Sequence, residues 1–200
     1  MRILAVVSLF LLFVAVLAAP AAQAGKWEPY KFKGNEKYEF KIAYTQDGQP
    51  VDAYYALDVR NTGKKTAEGD VLFEVTYTTR GEVPSAKMGA ETAYGLWSFS
   101  GVSLSMVFLN PAYAYMFTQL DLAPGKKMDY RGTGVVKVTK KEKIGGREGF
   151  ICQLYASEDE GGALLTEWTI DPALALPIKS FLYENGKVTD RIELIKYATY

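Results

Sequence analysis

Apolar and polar residues alternate with a period of two along much of the chain. In Glu36 to Thr45, EKYEFKIAYT, Tyr38, Phe40, Ile42 and Tyr44 share one face, and Lys37, Glu39 and Lys41 share the other. Successive strand residues point to opposite faces, so this pattern predicts a half-buried strand. Asp47-Gly48 supplies a turn pair. Asp52 to Arg60 resumes with Ala53, Tyr55, Leu57 and Val59 on one face, Asn61-Thr62-Gly63 turns the chain, and Asp70 to Thr79 repeats the pattern with Val71, Phe73, Val75 and Tyr77. Three strands joined by short turns predict an antiparallel meander.

Further strands are expected at Thr133 to Lys140, Arg147 to Ala156, Leu164 to Ile170, Leu176 to Tyr183 and Val188 to Tyr197. Asn185-Gly186 joins the last two as a hairpin signal, because both positions tolerate positive φ. The final strands are apolar on both faces: Ile178 and Leu182 oppose Phe181 and Tyr183, and Ile192 and Leu194 oppose Ile195 and Tyr197. A flat sheet with one wet face does not need this; a curved sheet packed on both surfaces does. No repeat and no linker divides the chain. The expectation is one all-β domain over 25–200: a curved antiparallel sheet of roughly ten strands in chain order, with a minor helix across its concave side.

The middle of the chain differs. Tyr94 to Leu122 holds no Lys or Arg, and no acid before Asp121. Asn110-Pro111 reads as a helix start, Asn as cap and Pro at the first helical position, with Ala112 to Leu120 following. A short, nearly charge-free helix is stable only when packed against apolar surface. The residues assigned to an apolar binding cavity are Phe108, Tyr113, Met116 and Phe117 on this segment, closed against Phe40, Phe73, Trp168 and Ile178 on the sheet.

Residues 1–24 stand apart from the fold. Arg2 precedes an apolar run from Ile3 to Ala19, and Ala22-Gln23-Ala24 presents small residues where a signal peptidase reads them. Cleavage is expected before Gly25, with export of the remainder.

Composition narrows the chemistry. Lys plus Arg and Asp plus Glu each number 23, and this balance argues against a nucleic-acid partner. There is no histidine, so the usual general base, triad partner and zinc ligand are missing. The lone Cys152 lies on a strand beside Phe150 and Leu154 and is expected to be a buried, inert thiol. The consecutive acids Glu158, Asp159 and Glu160 lack the spacing of a calcium loop, and the basic group Lys137, Lys140, Lys141, Lys143 and Arg147 surrounds one hairpin. No catalytic residue, metal site or cofactor is assigned, and no enzyme activity is expected.

The stretch WTIDPALALPIKS, Trp168 to Ser180, carries the most specific pattern. Pro172 has no amide hydrogen and ends a ladder; Asp171 turns the chain by accepting hydrogen bonds from amides just ahead; Pro177 opens the next strand. Trp168, Ile170, Asp171, Pro172, Leu176, Pro177, Ile178 and Lys179 resemble the motif of the carriers and receptors that localise outer-membrane lipoproteins, and of related exported families with the same sheet. The resemblance implies an unclosed half-barrel whose open side is plugged by helices over a cavity for acyl chains. It also implies a periplasmic location. Those carriers have more helix at the start of the mature chain, whereas Trp27 to Gly34 shows none. Two functions follow as expectations: a non-catalytic carrier for a lipid or other apolar ligand, or an envelope protein-interaction or assembly module docking through 95–120. A membrane surface is a further candidate partner.

Overall fold

The computed structural model describes residues 25–46, 49–82, 85, 116–130, 134–157 and 162–200. Nine strands are present among them: β1 Glu36–Gln46, β2 Gln49–Lys65, β3 Val71–Gly81, β4 Lys127–Tyr130, β5 Gly134–Ile144, β6 Arg147–Tyr155, β7 Leu164–Ile170, β8 Lys179–Glu184 and β9 Lys187–Thr199. All nine form one antiparallel sheet in the order β3-β2-β1-β9-β8-β7-β6-β5-β4. The alternation in the sequence is the cause. Each strand turns one set of residues to a common face, and that face is buried except on the edge strands, where it is exposed on β3 and half-buried on β4.

The expected chain-order meander needs one correction. Strands β1 to β3 run outward in one direction and β9 to β4 in the other, so the last strand pairs with the first. The register sets Phe40 opposite Leu194 and Ile42 opposite Ile192. The edges are therefore β3 and β4, the strands on either side of the long charge-poor segment. They do not pair with each other, and the sheet stays open.

The sheet is strongly curved. Register shifts interrupt the β1–β9, β5–β6, β6–β7 and β8–β9 ladders, and each such irregularity bends its strand. The curl brings the β5–β6 turn onto β9, three ladders away. Gly145, with φ 55°, lies so close to it that a Cβ there would stand 2.6 Å from the Leu194 carbonyl oxygen. On the concave side Tyr38, Phe40 and Ile42 of β1, Leu57 and Val59 of β2, Val136 and Val138 of β5, Phe150 and Leu154 of β6, Trp168 and Ile170 of β7, and Ile192 and Leu194 of β9 join one core cluster. Burying each large side chain stabilises the fold by about 1.5–3 kcal/mol before entropy is counted. Cys152 is fully buried and free, as its neighbours foretold.

The Asp-Pro turn forms as the sequence predicts. Asp171 Oδ1 accepts from the Ala173 amide at 2.9 Å, and its carbonyl accepts from the Leu174 amide at 3.0 Å. At the Asn185-Gly186 turn both residues have positive φ, 51° and 74°. The 171–178 connection is not a surface loop, however. Leu174, Ala175, Leu176 and Ile178 are all buried. Burial of irregular backbone demands partners for every polar group, and the N-terminal strand-free segment supplies them. Trp27 Nε1 donates to the Leu174 carbonyl at 2.7 Å, the Tyr30 amide to that of Ala175 at 2.9 Å, and Lys33 Nζ to that of Ala173 at 3.1 Å. The Ala175 amide donates to the Tyr38 hydroxyl at 3.2 Å.

Candidate functional site

The concave face of the sheet is the candidate binding surface. A single helical turn at 116–119 lies against it. It is the part of the predicted 110–120 helix within the described residues; 110–115 lie outside them, as do Phe108 and Tyr113. Tyr130 on β4 anchors the turn by donating its hydroxyl to the Met116 carbonyl. Burial pushes that phenol up to about 12, with the Cys152 thiol adding to the effect.

Five of the assigned residues come together. Met116, Phe117, Phe40, Trp168 and Ile178 all belong to the core cluster and are buried. The Phe117 ring meets Trp168 edge-on, with centroids 5.0 Å apart and planes at 84°, and meets Trp27 at 5.6 Å and 71°. These rings are in contact with one another, so at this point the face is packed core. Phe73 is the exception. It lies on edge strand β3, is 36% exposed and is not in the cluster. Nothing among the described residues covers β3, which is why a strand of the same alternation ends up with a wet concave face.

That uncovered wing was not singled out from the sequence. By register Tyr77 stands opposite Leu57 and Val75 opposite Val59, so both continue the face that carries the core. Leu57 and Val59 are buried, yet Val75 is 43% and Tyr77 61% exposed. The Tyr55 and Tyr77 rings lie 6.3 Å apart, linking the wing to the core. The apolar wall thus runs beyond the helical turn that covers its centre. The sequence contained the alternation but no sign of which strand would be the edge. One buried polar atom faces the same side: Ser180 Oγ, aligned in register between Trp168 and Ile192, has no hydrogen-bond partner.

The opposite face carries a polar cluster that also escaped sequence reasoning. The Lys179 ammonium sits between two carboxylates, pairing with Glu167 at 2.7 Å and with Glu142. Gln153 donates to Glu167 at 2.7 Å, and the Thr169 hydroxyl donates to Glu142. Burial alone would lower the Lys179 pKa; the two carboxylates outweigh it and raise it. Held by both neighbours, the lysine pins β8 to β7 and β5. Cys152 is equally unsuited to nucleophilic work, since burial, with Glu167 next, pushes its thiol up. Of the basic hairpin residues, Lys141 pairs with Glu148 at 2.9 Å and Arg147 with Asp171 at 2.6 Å. Glu158, Asp159 and Glu160 lie outside the described residues. Among the described residues no group of three or more acidic or thiol side chains is placed to hold a metal ion.

One depression, of about 250 Å³, lies away from the concave face, between Lys26, Lys31 and Lys33 of the N-terminal segment and Pro172 and Ala173 of the buried loop. Its Lys31 is paired with Glu28.

No family model matches the chain, and no curated protein matches it in sequence. Among solved structures it is similar to a DUF1329 family protein from Desulfovibrio piger ATCC 29098, at 9% identity and a TM-score of 0.24, with 85% of this chain and 87% of that one covered.

Proposed function

We propose that the protein is a non-catalytic, exported binding domain that holds a lipid or another apolar ligand on the concave side of its open sheet, in the periplasm. The observation that supports this most directly is the β2–β3 wing. The wall that is core at Leu57 and Val59 continues as exposed apolar surface through Val75 and Tyr77. Contiguous apolar surface left open beside a packed core is the usual mark of a binding face. Among the described residues no strand bridges β3 and β4, so that side of the wing is left open. The packed Phe117–Trp168 contact marks the inner end of the groove and takes no ligand itself.

Native mass spectrometry of protein purified from its own envelope, followed by organic extraction, tests the reading directly. A co-purifying lipid is expected, and the apo protein should take up a fluorescent fatty acid. Val75→Asp should weaken uptake by about tenfold or more without loss of β-sheet circular dichroism, because Val75 is exposed and its burial is not needed for folding. Absence of both extractable lipid and probe uptake would overturn the carrier function. The envelope protein-interaction module docking through 95–120 would then replace it.

A further inference from the structure

We propose that β3 is a pairing edge through which two copies of this chain join their sheets, antiparallel and centred on Tyr77. This goes beyond ligand binding: it concerns the hydrogen-bonding edge of β3, whereas the binding function concerns its concave face.

The two edges of the sheet are built differently. β4 is four residues long, KMDY, with Lys127 and Asp129 among them. Short, charged edges are how sheets avoid unwanted pairing. β3 is eleven residues long, VLFEVTYTTRG, and contains no proline and no lysine. Val71, Leu72, Phe73, Val75 and Tyr77 are all exposed on it. β2 occupies one of its sides from Ala53 to Lys65, and among the described residues no strand occupies the other. A long, apolar, unprotected edge is a template for another strand.

The charges select the partner and the register. β3 carries two ionised side chains, Glu74 and Arg80. Both lie an odd number of residues from Tyr77, so they share the face opposite to it. Glu74 stands across from Arg60 on β2, but that guanidinium is engaged by Asp58 at 3.1 Å and by the Tyr200 hydroxyl at 2.9 Å. Arg80 rests over the Tyr54 ring, 5.2 Å from its centroid, and among the described residues it pairs with no carboxylate. When two β3 strands run antiparallel about Tyr77, each Glu74 stands directly opposite Arg80 of the second copy, and this happens twice. No other antiparallel self-pairing register brings these two residues opposite each other. The same register sets Tyr77 against Tyr77, Thr76 against Thr78 and Val75 against Thr79 across the axis. Aromatic, hydroxyl and opposite-charge pairs are the cross-strand contacts that stabilise sheets. Pairing of this kind keeps both concave faces on one side, so the two apolar wings become one continuous trough.

Sedimentation velocity on the purified protein, from micromolar to submillimolar concentration, tests the proposal. A reversible dimer is expected. Glu74→Arg and Arg80→Glu each set like charges opposite each other at both ends of the interface and should weaken dimerisation by about tenfold or more. Both residues are exposed, so circular dichroism should stay unchanged. An equimolar mixture of the two variants restores opposite charges at both ends and should recover the dimer. A wild-type protein that is monomeric throughout, single variants that dimerise as well as wild type, or a mixture that stays monomeric would each overturn the proposal. None of these outcomes bears on lipid uptake, which is measured separately.

Discussion

Arg147 Nε donates to Asp171 Oδ2 at 2.8 Å, while the same guanidinium lies over the Tyr197 ring, 5.5 Å from its centroid. One side chain at the start of β6 thereby ties the buried Asp-Pro loop to β9, and Asp171 serves the pair and the turn with its two oxygens. Asp171→Ala removes both and should cost about 2–4 kcal/mol, the scale for losing a part-buried pair together with a turn hydrogen bond. Asp171→Asn keeps an oxygen for the Ala173 amide and should cost less. Urea denaturation of the two variants measures the difference; equal losses would mean that the turn contributes nothing beyond the ion pair.

The β5–β6 turn offers a sharper comparison. Gly145 and Gly146 both have positive φ, 55° and 79°, but only Gly145 is pressed against β9; a Cβ on Gly146 meets nothing within 4 Å. Gly146→Ala should cost about 1 kcal/mol, for the left-handed backbone alone. Gly145→Ala adds a backbone clash and should cost about 2–4 kcal/mol in all. Thermal unfolding midpoints should separate the two variants clearly. If they coincide, the curl of the sheet at Leu194 is looser than described.

Lys179→Met should leave Glu142 and Glu167 facing each other with no cation, and lower stability at neutral pH by about 3 kcal/mol. Adding Glu167→Gln should recover part of the deficit, because it removes the repulsion between the two carboxylates. A deficit unchanged by the second substitution in urea denaturation would show that packing of the lysine stem, and not charge, is what Lys179→Met removes.

Alkaline pH should destabilise the wild-type protein. Burial raises the pKa of Cys152, Tyr38, Tyr55 and Tyr130, in the last case to about 12. Lys179 is raised too, against burial, by its two carboxylates. A group with a raised pKa in the folded state binds more protons folded than unfolded. Its contribution is complete below the unfolded value and is lost as pH climbs toward the folded one, at about 1.4 kcal/mol per pH unit for each group. The loss should begin near pH 9, the ordinary value for Cys, and steepen near pH 10 as tyrosines join. Cys152→Ala should remove the first part of the slope. The native thiol should also react slowly with a labelling reagent and quickly once denatured.

Every strand but the four-residue β4 was legible in the sequence, because a two-residue alternation survives burial on one face only. Tyr38, Phe40 and Ile42 had to point together, and the turn chemistry of Asp171-Pro172 and Asn185-Gly186 needed no tertiary help. The pairing of β1 with β9 was not legible, since nothing local distinguishes a central strand from an edge strand. That same blindness explains Phe73. Its strand has the pattern of its neighbours, and only its place at the edge leaves it exposed. Lys179 was read as part of a motif, but its two glutamates come from β5 and β7, and no spacing in the chain relates them. The meeting of Phe117 with Trp168 follows from apolar character; that the meeting fills space and does not enclose it is a property of the packed rings.

The adjacency of the first and last strands governs when the fold can form. Until residues 187–199 have been made, β1 and β8 each present an unsatisfied edge, and neither the early hairpins nor the later meander has its closing neighbour. The contact that joins them spans nearly the whole domain, so its loop-closure entropy must be met before the two halves share one sheet. A chain emerging from its amino end therefore lacks the ladders that join its two halves until its final strand is released. Deleting that strand would leave two separate unfinished sheets, with no smaller version of the fold to fall back on.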